Sequence, residues 1–202
     1  MLKIDSMVRP LVLVAIGIMI VLIISPARGM SMSWQQTHST NTTQGGEKSP
    51  LPAANPTDVA SMDAVIAALY DVISGPAGKK RDWGRMRSLF IPGAQLIACG
   101  KRPNGEFVYR VMDVEGYISS SGNYLETNGF FEREVARRGE TFGNIAHVFS
   151  TYEARQRTED AKPFMRGINN IQLMNDGKRW WIVSVYWQAE SADNPLPEKY
   201  LK

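Results

Sequence analysis

Proton transfer near neutral pH falls most readily to histidine, whose imidazole titrates close to neutrality with little environmental help. The chain of 202 residues has two, His38 and His147. They stand too far apart for a His-ligand motif, and the single cysteine, Cys99, excludes an intramolecular disulfide and a Cys-built zinc site. The sequence thus implies no metal and no cofactor. Cys99, a lone thiol on a predicted buried strand, reads as inert. Gly78-Lys79 fails as a phosphate loop, because Ile73 stands where the leading glycine belongs and Lys80 where the Ser or Thr belongs. No G-x-S-x-G and no G-x-G-x-x-G occurs. Lys79, Lys80, Arg81, Arg85 and Arg87 put five bases within nine residues, read as a solvated edge, and Asp82 reads as a helix N-cap. His147 has the side-chain chemistry of a general base or acid. Its competing role is a core histidine satisfied by one local hydrogen bond. Glu153, about 20 Å further along an extended strand, cannot orient it.

The elements that must position these residues begin well inside the chain. Residues 11–24 are 14 consecutive apolar or glycine positions preceded by Lys3 and Arg9, shorter than the roughly 20 a spanning helix needs. Ser25-Pro26 ends the run and Ala27-Arg28-Gly29 offers small residues for cleavage. The expectation is a signal peptide, residues 1–29, removed after Gly29 to give an exported (periplasmic or secreted) protein. The alternative is a membrane anchor over residues 8–24. Removing the leader takes Lys3, Arg9, Arg28 and Asp5 with it and lowers the net charge from +3 to about +1, which argues against nucleic acid as a partner. Thirteen of residues 30–56 are Ser, Thr, Asn or Gln and five are Gly or Pro. Such a segment buries too little apolar surface to offset its ordering entropy and reads as a flexible linker. Residues 57–202 make one domain.

Within it, Met62, Val65, Ile66, Leu69, Tyr70 and Ile73 mark one face of an amphipathic helix, with Asn55 as N-cap, Pro56 at the first position and Gly75-Pro76 as the stop. A short helix starts at Asp82, carries Trp83, Met86 and Phe90 inward, and ends at Ile91-Pro92-Gly93. Strands follow at about 94–99 and 106–111 around Pro103-Asn104-Gly105. Asp113 caps a third helix despite the poor propensity of Ser119-Ser120-Ser121-Gly122. Four long antiparallel strands close the chain, near 129–141, 144–156, 164–174 and 178–190, with Asn175-Asp176-Gly177 as a strong hairpin signal. Helices first and strands afterwards predict α+β, three helices packed on a strongly curved, mostly antiparallel sheet.

The order of Arg81-Asp82-Trp83 leading into Ser88-Leu89-Phe90, then Gly143-Asn144-Ile145-Ala146-His147, then Asp176-Gly177-Lys178-Arg179-Trp180 resembles the nuclear transport factor 2-like superfamily over roughly 57–190. Within it the likeness is to SnoaL-like polyketide cyclases and ketosteroid isomerases. The resemblance implies a cone-shaped, barrel-like fold with an apolar pocket on the concave side of the sheet. The isomerase's base position falls on Ala98, so that base is missing. Its tyrosine falls on Tyr70, and its protonated aspartate on Asn169, whose amide can still donate a hydrogen bond.

The same alignment directs His147, Phe149, Thr151 and Glu153 into the cavity, with Asn169, Ile171 and Leu173 from the next strand and Trp180, Ile182, Ser184 and Tyr186 from the last. The resulting expectation is an exported protein binding a small apolar or amphipathic ligand, contacted by Phe149, Thr151, Ile171, Trp180, Ile182, Ser184 and Tyr186. One alternative is a cofactor-free isomerase, cyclase or dehydratase using His147 with Tyr70 and Asn169. The other is a dimeric interaction module without catalysis. A homodimer through the sheet is expected, and no membrane partner beyond the leader.

Overall fold

The computed structural model describes residues 51–102 and 104–202. The expected leader and most of the expected linker lie outside the described residues. Helix α1, Pro56–Val59, is capped by the Asn55 side chain, which accepts from Thr57 N at 3.1 Å. Helix α2, Met62–Ile73, has its own cap: Ser61 Oγ accepts from Ala64 N at 3.0 Å. The sequence predicted one continuous helix here, and the second cap divides it, because Ser61 satisfies an N–H that a continuing helix would bond internally. Val65, Ile66, Leu69, Tyr70 and Ile73 of α2 are buried. Helix α3, Trp83–Leu89, is capped by Asp82, as expected, through a 2.8 Å bond from Arg85 N.

Strand β1, Phe90–Lys101, follows α3 without a loop and begins four residues earlier than predicted; β2 is Phe107–Met112. Helix α4, Val114–Asn128, starts at Asp113, whose carboxylate accepts from Gly116 N at 2.7 Å. Its serine-glycine stretch is helical because tertiary contact overrides propensity. A Cβ on Gly122 would lie 3.2 Å from the Trp83 ring, so the glycine lets α4 settle against α3. Strands β3 (Phe131–Phe142), β4 (Ile145–Arg155), β5 (Met165–Asn175) and β6 (Trp180–Ala189) complete the fold. Gly177, at φ +88°, makes the tight turn between β5 and β6.

The six strands form one open sheet in the order β2-β1-β6-β5-β4-β3, with only β1 and β6 parallel. Register shifts between Glu134 and Ala136, between Gln172 and Leu173, and between Phe90 and Gln95 mark bulges that bend it. The helices cover one face, and side chains such as Ile66, Met86, Leu89, Val148, Tyr152, Ile171 and Ile182 fill the space between the layers.

The five-base cluster is a solvated edge only at Lys79 and Lys80, which are exposed. Arg81 is buried, and its guanidinium donates to the carbonyls of Ile73 (3.0 Å), Lys79 (2.6 Å), Gly75 (2.6 Å) and Leu125 (2.8 Å). It thereby satisfies carbonyls at the C-terminal ends of α2 and α4 that those helices leave unbonded. Arg85 holds Asp58 and Asp71, and Arg87 holds Glu115. These pairs tie one helix to another.

Candidate functional site

Beneath α2, a polar network crosses the layer from helix to edge strand. The Tyr70 hydroxyl shares a 2.6 Å hydrogen bond with Ser150 Oγ on β4. Asn169 Nδ2 on β5 donates to Tyr70 Oη at 3.0 Å and to Glu132 Oε1 at 3.0 Å. Tyr70, Ser150 and Asn169 are buried and Glu132 is partly so. Glu132 stands at the start of β3 opposite Ala154, on the helix-facing side of the sheet. Burial disfavours its charged form and pushes the carboxyl up to about 7, against a partial pull downward from the Asn169 hydrogen bond. The same burial, together with the nearby Glu132 charge, raises the Tyr70 and Tyr117 hydroxyls above the ordinary tyrosine range. Tyr152 is raised for the same two reasons. Its buried hydroxyl has no hydrogen-bond partner among the described residues and lies over Gly167, where a Cβ would sit 2.7 Å from it.

Tyr70 and Glu132 reach a groove of about 1090 Å³ between α2 and β3. Asp63, Ala67, Asp71 and Ser74 form its helical wall, residues 131–137 its strand wall, and Arg155, Thr158 and Asp160 one end. At neutral pH Glu132 is divided between its ionised and protonated forms, so it can accept a proton from a bound molecule or give one. The described residues contain no group of three or more His, Cys, Asp or Glu arranged to hold a metal ion.

The structure brings Tyr70 and Asn169 into one hydrogen bond but leaves His147 elsewhere. On β4, Val148, Ser150 and Tyr152 face the helices, so His147, Phe149, Thr151 and Glu153 face the opposite way. His147 pairs across the outer face with Glu140 and Gln172. Phe149 stacks on Tyr200 at 5.6 Å, and Thr151 Oγ1 donates to the Tyr200 carbonyl at 2.6 Å. The expected inward orientation of these four residues is therefore corrected by one residue of alternation.

On β5, Asn169, Ile171 and Leu173 do face inward, and on β6 so do Trp180 and Ile182, packed into or against the core. Ser184 and Tyr186 do not. The bulge at Val183 reverses the alternation, and Tyr186 accepts a 2.8 Å hydrogen bond from the outward-facing Asn170. Glu132 escaped the sequence reading because Glu132, Arg133 and Glu134 leave β3 with no apolar face to read. Only its pairing with β4 reveals which charges turn inward.

No family model matches the sequence and no curated protein is a recognisable relative. Solved structures do match. A Nostoc punctiforme protein of unknown function with a cystatin-like fold is 12% identical, covering 66% of this chain and 91% of its own, at a TM-score of 0.50. The fold is cystatin-like, the architecture of NTF2-like proteins. A Caulobacter vibrioides protein with a cystatin-like fold matches at 12% identity over 66% of this chain and 90% of its own, TM-score 0.47. An NTF-2-like protein of unknown function from Silicibacter pomeroyi matches at 17% identity over 65% and 94%, TM-score 0.42. At 12% identity the Nostoc punctiforme match speaks for the fold alone, and function must be argued from the site.

Proposed function

We propose that this NTF2-like chain is an exported, single-domain protein that binds a small apolar or amphipathic molecule in the groove between α2 and β3. One observation carries this reading: a carboxyl, Glu132, lines the open groove between α2 and β3, and among the described residues its side chain has only the Asn169 amide as a hydrogen-bond partner. Such a placement costs stability, and a costly local arrangement that persists is the usual mark of a functional site. Export rests on the apolar run at residues 11–24 and the small residues at Ala27 and Gly29. Exposed Phe107, Tyr109, Val111 and Tyr186 on the outer face support pairing of two copies through the sheet.

Native mass spectrometry of protein purified from its own host tests the reading. The wild type should carry a retained small molecule, and Ala67→Trp, which fills the groove from its helical wall, should not. Equal loading of the two proteins overturns the groove as the site.

A second reading is a cofactor-free isomerase, cyclase or dehydratase in which Glu132, rather than His147, exchanges the proton. Its support is the elevation of Glu132 to about 7, where a general base and its conjugate acid are both available. Turnover would then be lost in Glu132→Gln and unaffected in His147→Gln.

A further inference from the structure

We propose that the groove selects amphipathic amines, with a protonated nitrogen seated against the Glu132 carboxylate and a small apolar body lying between α2 and β3. This deepens the ligand-binding reading and rests on it. No basic side chain lies within ion-pair distance of Glu132 among the described residues, and Oε1 receives only the Asn169 amide. The titratable groups that feel its charge are the hydroxyls of Tyr70 from α2, Tyr117 from α4 and Tyr152 from β4, none of which brings positive charge.

The three arginines of the groove are already engaged. Arg137 holds both Glu134 and Asp63, while Arg133 and Arg155 share Glu153. Asp71 on the rim faces Arg85, and Asp160 at the far end holds Arg157. An anionic ligand therefore finds no unengaged cation here, whereas a cationic one finds a carboxylate short of its natural partner. A buried charge of this kind is expensive until it is paired, and an ammonium group supplies the pairing. When the ammonium ion meets protonated Glu132, the carboxyl proton leaves to solvent and a carboxylate–ammonium pair remains. Amine affinity should therefore rise with pH until Glu132 is fully ionised.

The test uses matched probes on the full chain: benzylamine against benzyl alcohol and cyclohexylamine against cyclohexanol, followed by NMR shifts of groove amides. Each amine should bind roughly tenfold or more tightly than its alcohol at pH 8, the usual scale for a charge-assisted hydrogen bond. That preference should shrink at pH 5.5, collapse in Glu132→Gln and persist in Glu115→Gln, a control carboxylate on α4 that lies outside the groove. Circular dichroism of both variants verifies that they fold. Alcohols binding as tightly as amines, or an amine preference that survives in Glu132→Gln, overturns the selectivity while the groove remains a ligand site. If neither class shifts the groove amides, the ligand-site reading fails and the amine proposal with it.

Discussion

Asn169 and Tyr70 are 99 residues apart in sequence and 3.0 Å apart in the fold, and the same Asn169 amide nitrogen reaches Glu132 at 3.0 Å. One side chain thus couples a helix tyrosine to an edge-strand carboxyl. Asn169→Ala removes the donor from both. The Glu132 midpoint should move further up, because the hydrogen bond that favours its charged form is gone. Stability should fall by about 1–3 kcal/mol, the cost of leaving buried polar partners unpaired. Chemical denaturation and a carboxyl NMR titration read the two effects separately.

Stability should carry the signature of Glu132 as a pH slope. Its pKa is about 7 in the folded chain and roughly 4.3 when unfolded. Folding therefore favours the protonated form. The contribution is fully present below about pH 4.3 and is lost as pH rises through 7. Between pH 5 and 8 the wild type should lose about 2–3 kcal/mol relative to Glu132→Gln, with the two proteins converging near pH 4. Carboxylates with lowered values, such as Asp176 held down to about 2 by Trp181 and two backbone N–H groups, act at much lower pH and leave this window clear.

Arg81 should be the most sensitive arginine in the protein. Arg81→Met keeps the stem but strips a donor from the carbonyls of Ile73 and Leu125 in α2 and α4 and of Gly75 and Lys79 in the loop between α2 and α3. The Ile73 and Leu125 carbonyls lose a buried donor at about 1–3 kcal/mol each before relaxation, while Gly75 keeps the Phe130 N–H, so thermal unfolding should show a loss above roughly 2 kcal/mol. Arg87→Met, which breaks a surface pair with Glu115, should cost less than about 1 kcal/mol.

The sequence carried the order of elements and most of the caps, because periodicity and capping chemistry are local. Asp82 and Asp113 cap the helices they were expected to cap. Tyr70 and Asn169 were reached through a family resemblance, and the fold does join them. What sequence could not supply was sheet parity. A bulge at Val135 and another at Val183 each add a residue to one strand only, and a single step of register exchanges the two faces. The Val183 bulge turned Tyr186 outward, while His147 faces outward by the plain alternation of β4, one residue out of step with the expected parity. Glu132 remained hidden because a charged strand has no hydrophobic alternation to betray its inner side, and Arg81 because charge in sequence says nothing of which carbonyls surround it.

His147 supplies a direct contrast with the network. His147→Gln lies on the outer face and should change stability by no more than about 0.5 kcal/mol, with groove-ligand affinity unchanged. Tyr70→Phe, which leaves Ser150 and Asn169 short of a partner, should cost about 1–2 kcal/mol and shift the Glu132 midpoint. Equilibrium denaturation of the pair, side by side, checks both.

The most direct test is the titration of Glu132 itself, followed by the side-chain carboxyl carbon in glutamate-labelled protein and assigned by its disappearance in Glu132→Gln. The expected midpoint is near 7, with the groove amides of Ser74 and Ala136 shifting at the same pH. A midpoint in the ordinary glutamate range, about 4–5, would mean that Glu132 is a solvated surface carboxylate and would contradict the site built around it.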